Sequence, residues 1–221
     1  MSPAERLAEV KGRIAAAARD AGRDASQVRL LAVSKRQPDE SLRAVFEAGQ
    51  DDFGENYVQE LVRKQALLPQ ARFHMIGHVQ TNKAKGAAGA AMVHTLDSAR
   101  LAKALAKAVP EGRRLEVLVE VNVGGEDQKA GVAPDGVEQL LEVIRTHPEL
   151  EARGLMCIPP VDAGRAAFAT LRGLAERLRA STGLALPELS MGMSADFEDA
   201  IREGSTVVRV GTAVFGPRLS R

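Results

Sequence analysis

The sequence predicts an α/β fold, namely a single (β/α)8 TIM barrel preceded by one additional helix. Short apolar runs recur along the chain, at 30–33, 51–54, 73–76, 91–96, 116–123, 154–158, 186–190 and 206–210. Stretches rich in Ala, Leu, Glu, Arg and Lys separate them. Strands that alternate with helices favour a parallel sheet, and eight such units within about 190 residues suit a small closed barrel. An open doubly wound sheet is the alternative. It usually has fewer strands at this length, and no Gly-x-Gly-x-x-Gly motif follows the first strand.

The first element is an amphipathic helix at about 3–20, where Leu7, Val10, Ile14 and Ala18 recur at helical spacing among charged residues. The barrel is expected to follow at about 29–216. Within it, the segments 101–107 and 168–178 have the composition and period of outer helices. No linker or low-complexity segment interrupts the sequence, so residues 1–221 are expected to form one domain.

Composition and charge exclude several classes of protein. The 221 residues include 30 Lys and Arg against 29 Asp and Glu, a net charge of +1, which gives no electrostatic basis for binding nucleic acid or an anionic membrane. The single cysteine, Cys157, lies in an apolar segment and predicts a buried, unreactive thiol. The N-terminal residues lack a signal-peptide pattern, and no apolar run reaches membrane-spanning length, so a cytoplasmic location is expected.

A lysine stands at the polar end of the first apolar run, in the sequence Leu-Leu-Ala-Val-Ser-Lys at 30–35. Burial beside such a strand disfavours the ammonium and lowers the pKa of a lysine from about 10.4. A neutral amine can attack a carbonyl group and form a Schiff base. Lys35 is therefore a candidate nucleophile; the alternative is a surface lysine that ends a strand.

The ends of strands seven and eight carry residues suited to a phosphate group. Ser194 precedes two acidic residues and is expected to be the N-cap of a helix. Gly211 and Thr212 open a turn in which backbone N–H groups can approach an anion. Barrels commonly bind phosphate at these two loops. Alternatively, Ser194 is only a helix cap and Gly211-Thr212 only a turn.

A phosphate site opposite a Schiff-base lysine fits pyridoxal 5'-phosphate (PLP). Arg209 would then face the pyridine nitrogen, and a permanently charged donor there would leave that nitrogen unprotonated. Such a ring is a poor electron sink, so the site would hold the cofactor well and catalyse weakly. Because Arg209 alternates with Val208 and Val210, it points either into the barrel or outward, where an ion pair is the alternative.

The histidines are weaker signals. His78 follows a strand end and either lines the pocket or supports it through a hydrogen bond, whereas His74 and His94 lie within strands and are expected to be structural. No histidine spacing predicts a metal site, and no Gly-x-Ser-x-Gly elbow indicates a serine hydrolase.

Six segments carry a family resemblance: 32–35 (AVSK), 53–60 (FGENYVQE), 76–83 (IGHVQTNK), 154–156 (GLM), 189–196 (LSMGMSAD) and 208–216 (VRVGTAVFG). They resemble the pyridoxal phosphate homeostasis protein family, and the similarity runs in register from about residue 5 to the end. The resemblance implies a barrel like the N-terminal domain of alanine racemase, with PLP on Lys35, Asn56 near the ring, Arg209 near the ring nitrogen and the phosphate at Ser194, Gly211 and Thr212. The full set of expected cofactor-binding residues is Lys35, Asn56, His78, Met193, Ser194, Arg209, Gly211 and Thr212.

The function expected from these features is PLP binding for intracellular cofactor homeostasis and amino-acid balance, without an enzyme activity. One alternative is a PLP-dependent enzyme, such as a weak amino-acid racemase, which needs an acid/base on each face of the ring. The sequence offers Lys35 for one face, and its single tyrosine is Tyr57. Another alternative is a cofactor-independent Schiff-base lyase or sugar-phosphate isomerase, for which the phosphate site would bind the substrate.

Release of a bound cofactor requires a mobile element, and the glycine-rich segment 124–131 after strand five is the candidate lid. Lys129 within it is a candidate transient attachment site, although a solvated loop lysine is the simpler interpretation. The expected partners are PLP and PLP-dependent apoenzymes that accept it, and the chain is expected to be a monomer.

Overall fold

The protein forms a closed barrel of eight parallel strands, as seen in a computed structural model that describes residues 1–126, 130–160 and 163–216. The strands are β1 (Arg29–Val33), β2 (Asp52–Glu55), β3 (Arg72–Met75), β4 (Met92–Leu96), β5 (Leu115–Glu120), β6 (Leu150–Met156), β7 (Glu188–Met193) and β8 (Val207–Val210). Each strand pairs with the next, and β8 pairs with β1, where Leu31 lies opposite Arg209. The predicted barrel is confirmed.

Helices follow the strands and form the outer layer. They are α1 (Pro3–Asp20), α2 (Asp39–Glu47), α3 (Val58–Leu67), α4 (Ala84–Ala87), α5 (Ala99–Ala108), α6 (Val137–Arg145), α7 (Gly164–Thr182), α8 (Phe197–Arg202) and α9 (Thr212–Phe215). Three short 3-10 helices lie at Ala25–Gln27, Thr81–Lys83 and Pro134–Gly136. In the described part of the chain, no helix combines the length and apolar character needed to cross a lipid bilayer.

The additional helix α1 completes the outer layer beside β8, whose own helix α9 has a single turn. A capping box between Ser2 and Glu5 starts α1, because side chains there satisfy N–H groups that have no partner inside the helix. Its apolar face is buried, and the helix contacts α2, α8 and α9. Arg6 fastens it by donating to the carbonyl oxygens of Val214 and Phe215. The predicted helix at 3–20 is thereby confirmed.

Three strands have a boundary that differs from the predicted one by two residues or more, and the other five agree within one residue. The strand predicted at 154–158 begins earlier, at Leu150, and ends at Met156, so Cys157 follows it. The strand predicted at 116–123 ends at Glu120, because the chain then turns through a glycine pair. The strand predicted at 186–190 runs instead from Glu188 to Met193, where small and polar residues had masked the apolar pattern.

Side chains on the strands point alternately outward to the helices and inward to the barrel axis. The large apolar core lies between sheet and helices. Two small apolar groups stand apart from it: Leu31, Ile76 and Val207 in one, and Met92, Leu118 and Met156 in the other. Buried polar side chains, among them His74, His94, Ser190 and Arg209, also lie on the strands.

Candidate functional site

A cavity of about 300 Å³ opens at the carboxyl ends of the strands. We call it the Lys35 cavity, and its lining residues are Val33, Lys35, Asn56, Ile76, Ile158, Met193, Ser194, Ala195, Arg209, Gly211 and Thr212. Strands β1, β2, β7 and β8 deliver the polar members of this set at their ends or in the loops just after them. Of the eight residues expected to bind a cofactor, only His78 is absent from this lining.

Lys35 stands on a tight turn directly after β1. The N–H of Gln37 donates to the carbonyl oxygen of Ser34 at 3.0 Å, which closes the turn over Lys35 and Arg36. The Lys35 side chain is partly buried and lines the cavity. A primary amine is therefore presented to an enclosed, partly apolar space, as a Schiff-base lysine requires.

The loops after β7 and β8 meet at the wall of the cavity. The Gly211 N–H donates to Ser194 Oγ at 3.3 Å, which joins the two loops. A Cβ at Gly211 would lie 3.4 Å from the carbonyl oxygen of Val33, an ordinary van der Waals distance, so this loop lies directly beside β1. Hydroxyl groups of Ser194 and Thr212 beside a glycine amide form a donor set suited to a phosphate.

The expectation that Ser194 caps a helix is wrong. Helix α8 begins at Phe197, and Asp196 occupies the N-cap position. The Asp196 carboxylate accepts from the N–H of Met193 at 2.6 Å, while the Asp196 N–H donates to the Met193 carbonyl oxygen. This turn delays the start of the helix by two residues. Ser194 consequently remains on the cavity wall instead of on the helix.

Arg209 points into the barrel and is only 4% exposed, so the alternative of an outward ion pair is wrong. Its guanidinium donates from Nη1 to Ser190 Oγ at 2.8 Å and from Nη2 to the carbonyl oxygen of Cys157 at 2.9 Å. Burial lowers the pKa of Arg209, but a guanidinium remains charged in proteins. The cavity therefore contains one fixed, permanent donor.

Cys157 contributes its backbone to the site and not its thiol. The side chain is fully buried, as the sequence predicted. Burial raises the pKa of the thiol to about 12. The thiolate needed for nucleophilic chemistry is therefore absent at neutral pH.

Behind Arg209, a series of hydrogen bonds crosses the barrel interior. We call it the interior chain, and it consists of Asp52, His74, His94, Ser190 and Arg209. Successive links join Asp52 Oδ1 to His74 Nε2 at 3.0 Å, His74 Nδ1 to His94 Nε2 at 3.0 Å, and His94 Nδ1 to Ser190 Oγ at 2.9 Å. All five residues are buried. His74 and His94 are thus structural residues, as expected, within a connected network.

The two ends of the interior chain set the direction of its first and last hydrogen bonds. Although burial acts to raise it, hydrogen bonds from His74 and Arg72 lower the pKa of Asp52 to about 2, so this end is a carboxylate that only accepts. Burial lowers the pKa of His94 well below its ordinary value, and the charges of His74 and Arg209 act in the same direction. His74 Nε2 therefore donates to the Asp52 carboxylate. At the other end, Ser190 Oγ accepts from Arg209, which can only donate.

His78 lies in a neighbouring cavity and not among the residues of the Lys35 cavity. Its Nδ1 is 3.4 Å from Asp97 Oδ2, and its side chain is 59% exposed. The neighbouring cavity, of about 220 Å³, is lined by Asn56, Tyr57, Val58, Gln59, His78, Gln80 and Lys83. Asn56 lines both cavities, so the two spaces adjoin at this residue.

Two polar atoms at the mouth of the barrel lack partners in the described part of the chain, Asn56 Oδ1 and Glu120 Oε2. Buried polar groups are seldom left unpaired, and an unpaired one often marks a position that a ligand or water satisfies. Burial raises the pKa of Glu120, and the charge of Asp97 acts in the same direction. Glu120 was not predicted from the sequence, although a carboxylate within the fifth apolar run was the available signal.

Comparison with known proteins agrees with this geometry. The family model described as alanine racemase, N-terminal domain, matches residues 7–218. A pyridoxal phosphate homeostasis protein from Pseudomonas aeruginosa is 46% identical over 223 residues, covering 97% of this chain and 95% of that protein. The chain belongs to the pyridoxal phosphate homeostasis protein family. Another family member, from Aquifex aeolicus, is 42% identical over 99% of both chains.

Solved structures extend the comparison. PipY from Synechococcus elongatus, a structure with PLP bound, is 36% identical and superposes with a TM-score of 0.85 over 97% of this chain and all of that one. Alanine racemase from E. faecalis has a TM-score of 0.72 over the whole of this chain and 61% of its own, at 17% identity. The homeostasis family thus shares the barrel fold of the larger racemase.

Proposed function

We propose that this chain binds PLP through a Schiff base on Lys35 and serves intracellular PLP homeostasis by holding and releasing the cofactor. The observation that carries the proposal is the Lys35 cavity, which brings a lysine amine, a buried arginine and a hydroxyl-lined glycine loop into one space of about 300 Å³. Relatives named as PLP homeostasis proteins and the PLP-bound PipY structure support the same ligand.

The residues of the cavity fit the three polar parts of PLP. Ser194, Gly211 and Thr212 offer donors for the phosphate, and Arg209 offers a donor for the ring nitrogen. Asn56 supplies a buried Oδ1 that has no partner elsewhere in the described chain. Lys35 would supply the amine for a C=N bond to the aldehyde carbon of PLP, with the aldehyde oxygen lost as water.

We further propose that the chain is not an enzyme. PLP supplies an electron-accepting ring when bound, but donation from Arg209 leaves the ring nitrogen without a proton and weakens that property. A racemase also requires an acid/base opposite Lys35. The only tyrosine in the sequence, Tyr57, lines the neighbouring cavity, and its hydroxyl accepts from Arg36 at 3.1 Å.

The first experiment is to add PLP to the purified chain, follow the visible absorption band, trap the linkage with borohydride and map the labelled peptide. We expect a single label on Lys35, loss of the band in Lys35→Ala, and full retention in Lys107→Ala, an exposed lysine on α5. Labelling elsewhere, or no band in the wild type, would refute the attachment. The same map tests Lys129, which lies outside the described residues.

The second experiment separates a carrier from an enzyme. The loaded chain is mixed with a PLP-dependent apoenzyme, with and without an excess of a reagent that captures free PLP, and activation of the apoenzyme is followed. A carrier that delivers cofactor directly activates it in both cases. Exchange of the α-proton of an amino acid well above the rate given by free PLP would instead favour the racemase. Sedimentation of the loaded chain tests the predicted monomer.

A further inference from the structure

The turn that carries Lys35 has an unfavourable backbone conformation at its next residue. Arg36 has a φ of +57°, in the left-handed region. This region costs a non-glycine residue about 1 kcal/mol or more, so such residues persist only where their surroundings hold them. The turn therefore depends on contacts from outside.

Two side chains of helix α3 provide those contacts, one on each peptide group that flanks Lys35. Lys64 Nζ donates to the carbonyl oxygen of Ser34 at 2.5 Å. Glu60 Oε2 accepts from the N–H of Arg36 at 2.9 Å. We call Glu60 and Lys64 the α3 clamp.

The clamp is part of a buried polar cluster under the turn, in which Glu55 Oε2 is the one atom of Lys64 and Glu55 without a hydrogen-bond partner in the described part of the chain. Lys64 is fully buried, and its three donors meet three acceptors: Ser34 O, Glu55 Oε1 at 2.6 Å and Glu60 Oε2 at 3.1 Å. Ser34 Oγ also donates to Glu55 Oε1, at 2.5 Å. Burial raises the pKa of Glu55, against the opposing charge of Lys64.

Burying the ammonium group of Lys64 carries a large desolvation free energy. Lys64 lies on the apolar face of α3, three residues after Leu61 and four before Leu68, where an apolar residue would pack without desolvating a charge. Stability alone therefore does not account for it. What a lysine adds here is three directed hydrogen bonds, one of which reaches the peptide group of Lys35.

We propose that Glu60 and Lys64 are positioning residues that hold the turn at residues 34–37 in the conformation in which Lys35 lines the cavity. The consequence for PLP rests on the proposed function, whereas the clamp itself is a property of the unliganded chain. If loss of a clamp contact leaves the turn correctly folded in only one molecule in ten, apparent PLP affinity falls about tenfold.

The test compares four variants. Glu60→Ala removes the acceptor for the Arg36 N–H, Glu60→Gln keeps an acceptor without the charge, and Lys64→Met removes the donor to Ser34. Arg63→Met is the matched control, since Arg63 lies on the same helix but pairs with Asp39 at the surface. Far-ultraviolet circular dichroism identifies any variant that fails to fold.

The first measurement needs no PLP. We expect amide hydrogen exchange at Arg36 and Gln37 to accelerate at least about tenfold in Glu60→Ala, because the protecting acceptor is lost. The exchange rate at these two amides should be intermediate in Glu60→Gln and equal to that of the wild type in Arg63→Met. The exchange rates of the β1 amides should be the same in all variants. The second measurement is PLP titration, with about tenfold weaker binding expected in Glu60→Ala and Lys64→Met.

The outcomes separate this proposal from the one on which it rests. If the wild type is not labelled on Lys35 but Glu60→Ala accelerates amide exchange at Arg36 and Gln37, the positioning role of the α3 clamp is supported and the proposed attachment of PLP to Lys35 is refuted. If Lys35 is labelled and Glu60→Ala matches Arg63→Met in both exchange and affinity, the clamp is overturned. If Lys64→Met does not fold, the comparison of Glu60→Ala with Glu60→Gln is sufficient to test whether the α3 clamp holds the turn.

Discussion

Replacing Asp52 with asparagine tests the electrostatics of the interior chain. The side chain is almost entirely buried and accepts from His74 Nε2 and from two nitrogens of Arg72, at 2.9 and 2.6 Å. Asparagine has the same shape and keeps one acceptor for His74. However, it loses the negative charge and turns an amide group toward the guanidinium.

The magnitude follows from the pKa of Asp52, which is lowered from 3.8 to about 2. At about 1.4 kcal/mol per unit, the charged form adds about 2 to 3 kcal/mol to the free energy of unfolding at neutral pH. Because the folded-state pKa is the lower one, this contribution is complete above pH 3.8 and is lost as pH falls through about 2. About half of it should remain at pH 3.

The assay is urea unfolding of the wild type and Asp52→Asn at pH 7, 5, 4 and 3. We expect the difference in unfolding free energy to stay near its full value down to about pH 5 and then to shrink. The control is Asp39→Asn, which removes an exposed pair with Arg63 and should cost less than about 1 kcal/mol at every pH. A difference that is independent of pH, or no larger than that of the control, would refute the reasoning.

Three further predictions concern buried groups. A thiol reagent should modify Cys157 about a thousandfold more slowly in the folded chain than in urea at pH 8, since its pKa of about 12 lies well above the ordinary 9.0; comparable rates would contradict the burial. Gly154→Ala should lower the free energy of unfolding by about 3 kcal/mol or more, because its Cβ would overlap a carbonyl oxygen on β7 and its φ is +155°. Gly12→Ala, on helix α1 with open space around it, should instead be neutral or stabilising by up to about 1 kcal/mol in the same urea titration. Ser190→Ala should cost about 1 to 3 kcal/mol in urea unfolding and weaken PLP binding, because it leaves Arg209 Nη1 without its acceptor; unchanged affinity would show that Ser190 does not position Arg209.

The barrel and the position of Lys35 could be predicted because both depend on local pattern. Eight apolar runs with helices between them permit few topologies, and parallel strands in a barrel place their carboxyl ends together. Arg209 was identified by the same logic, since it alternates with two valines. Whether it faced inward could not be read from one strand, because the partners that decide it lie on β7 and just after β6.

The interior chain and the α3 clamp were not predicted, and the reason is physical. Each joins polar residues from strands or helices far apart in sequence, and only the closed register brings them to the same height. Lys64 had one local signal, its place on the apolar face between Leu61 and Leu68. A lysine is so rarely buried that composition favoured a surface position. Ser194 was wrongly assigned as the N-cap because the carboxylate of Asp196 accepts a hydrogen bond from the Met193 N–H, and Asp196 occupies the N-cap position instead.

The interior chain gives the barrel a built-in spectroscopic reporter. The ring nitrogens of His74 and His94 each have a hydrogen-bond partner in the chain, and their nitrogen-15 chemical shifts depend on whether they donate or accept. A ligand that draws Arg209 away from Ser190 changes the hydrogen bonding of the Ser190 hydroxyl, which is bonded to His94 Nδ1. The change at His94 in turn affects the hydrogen bond between His94 and His74. Two histidine signals in a chain with four histidines can therefore register events in the Lys35 cavity without any label placed there.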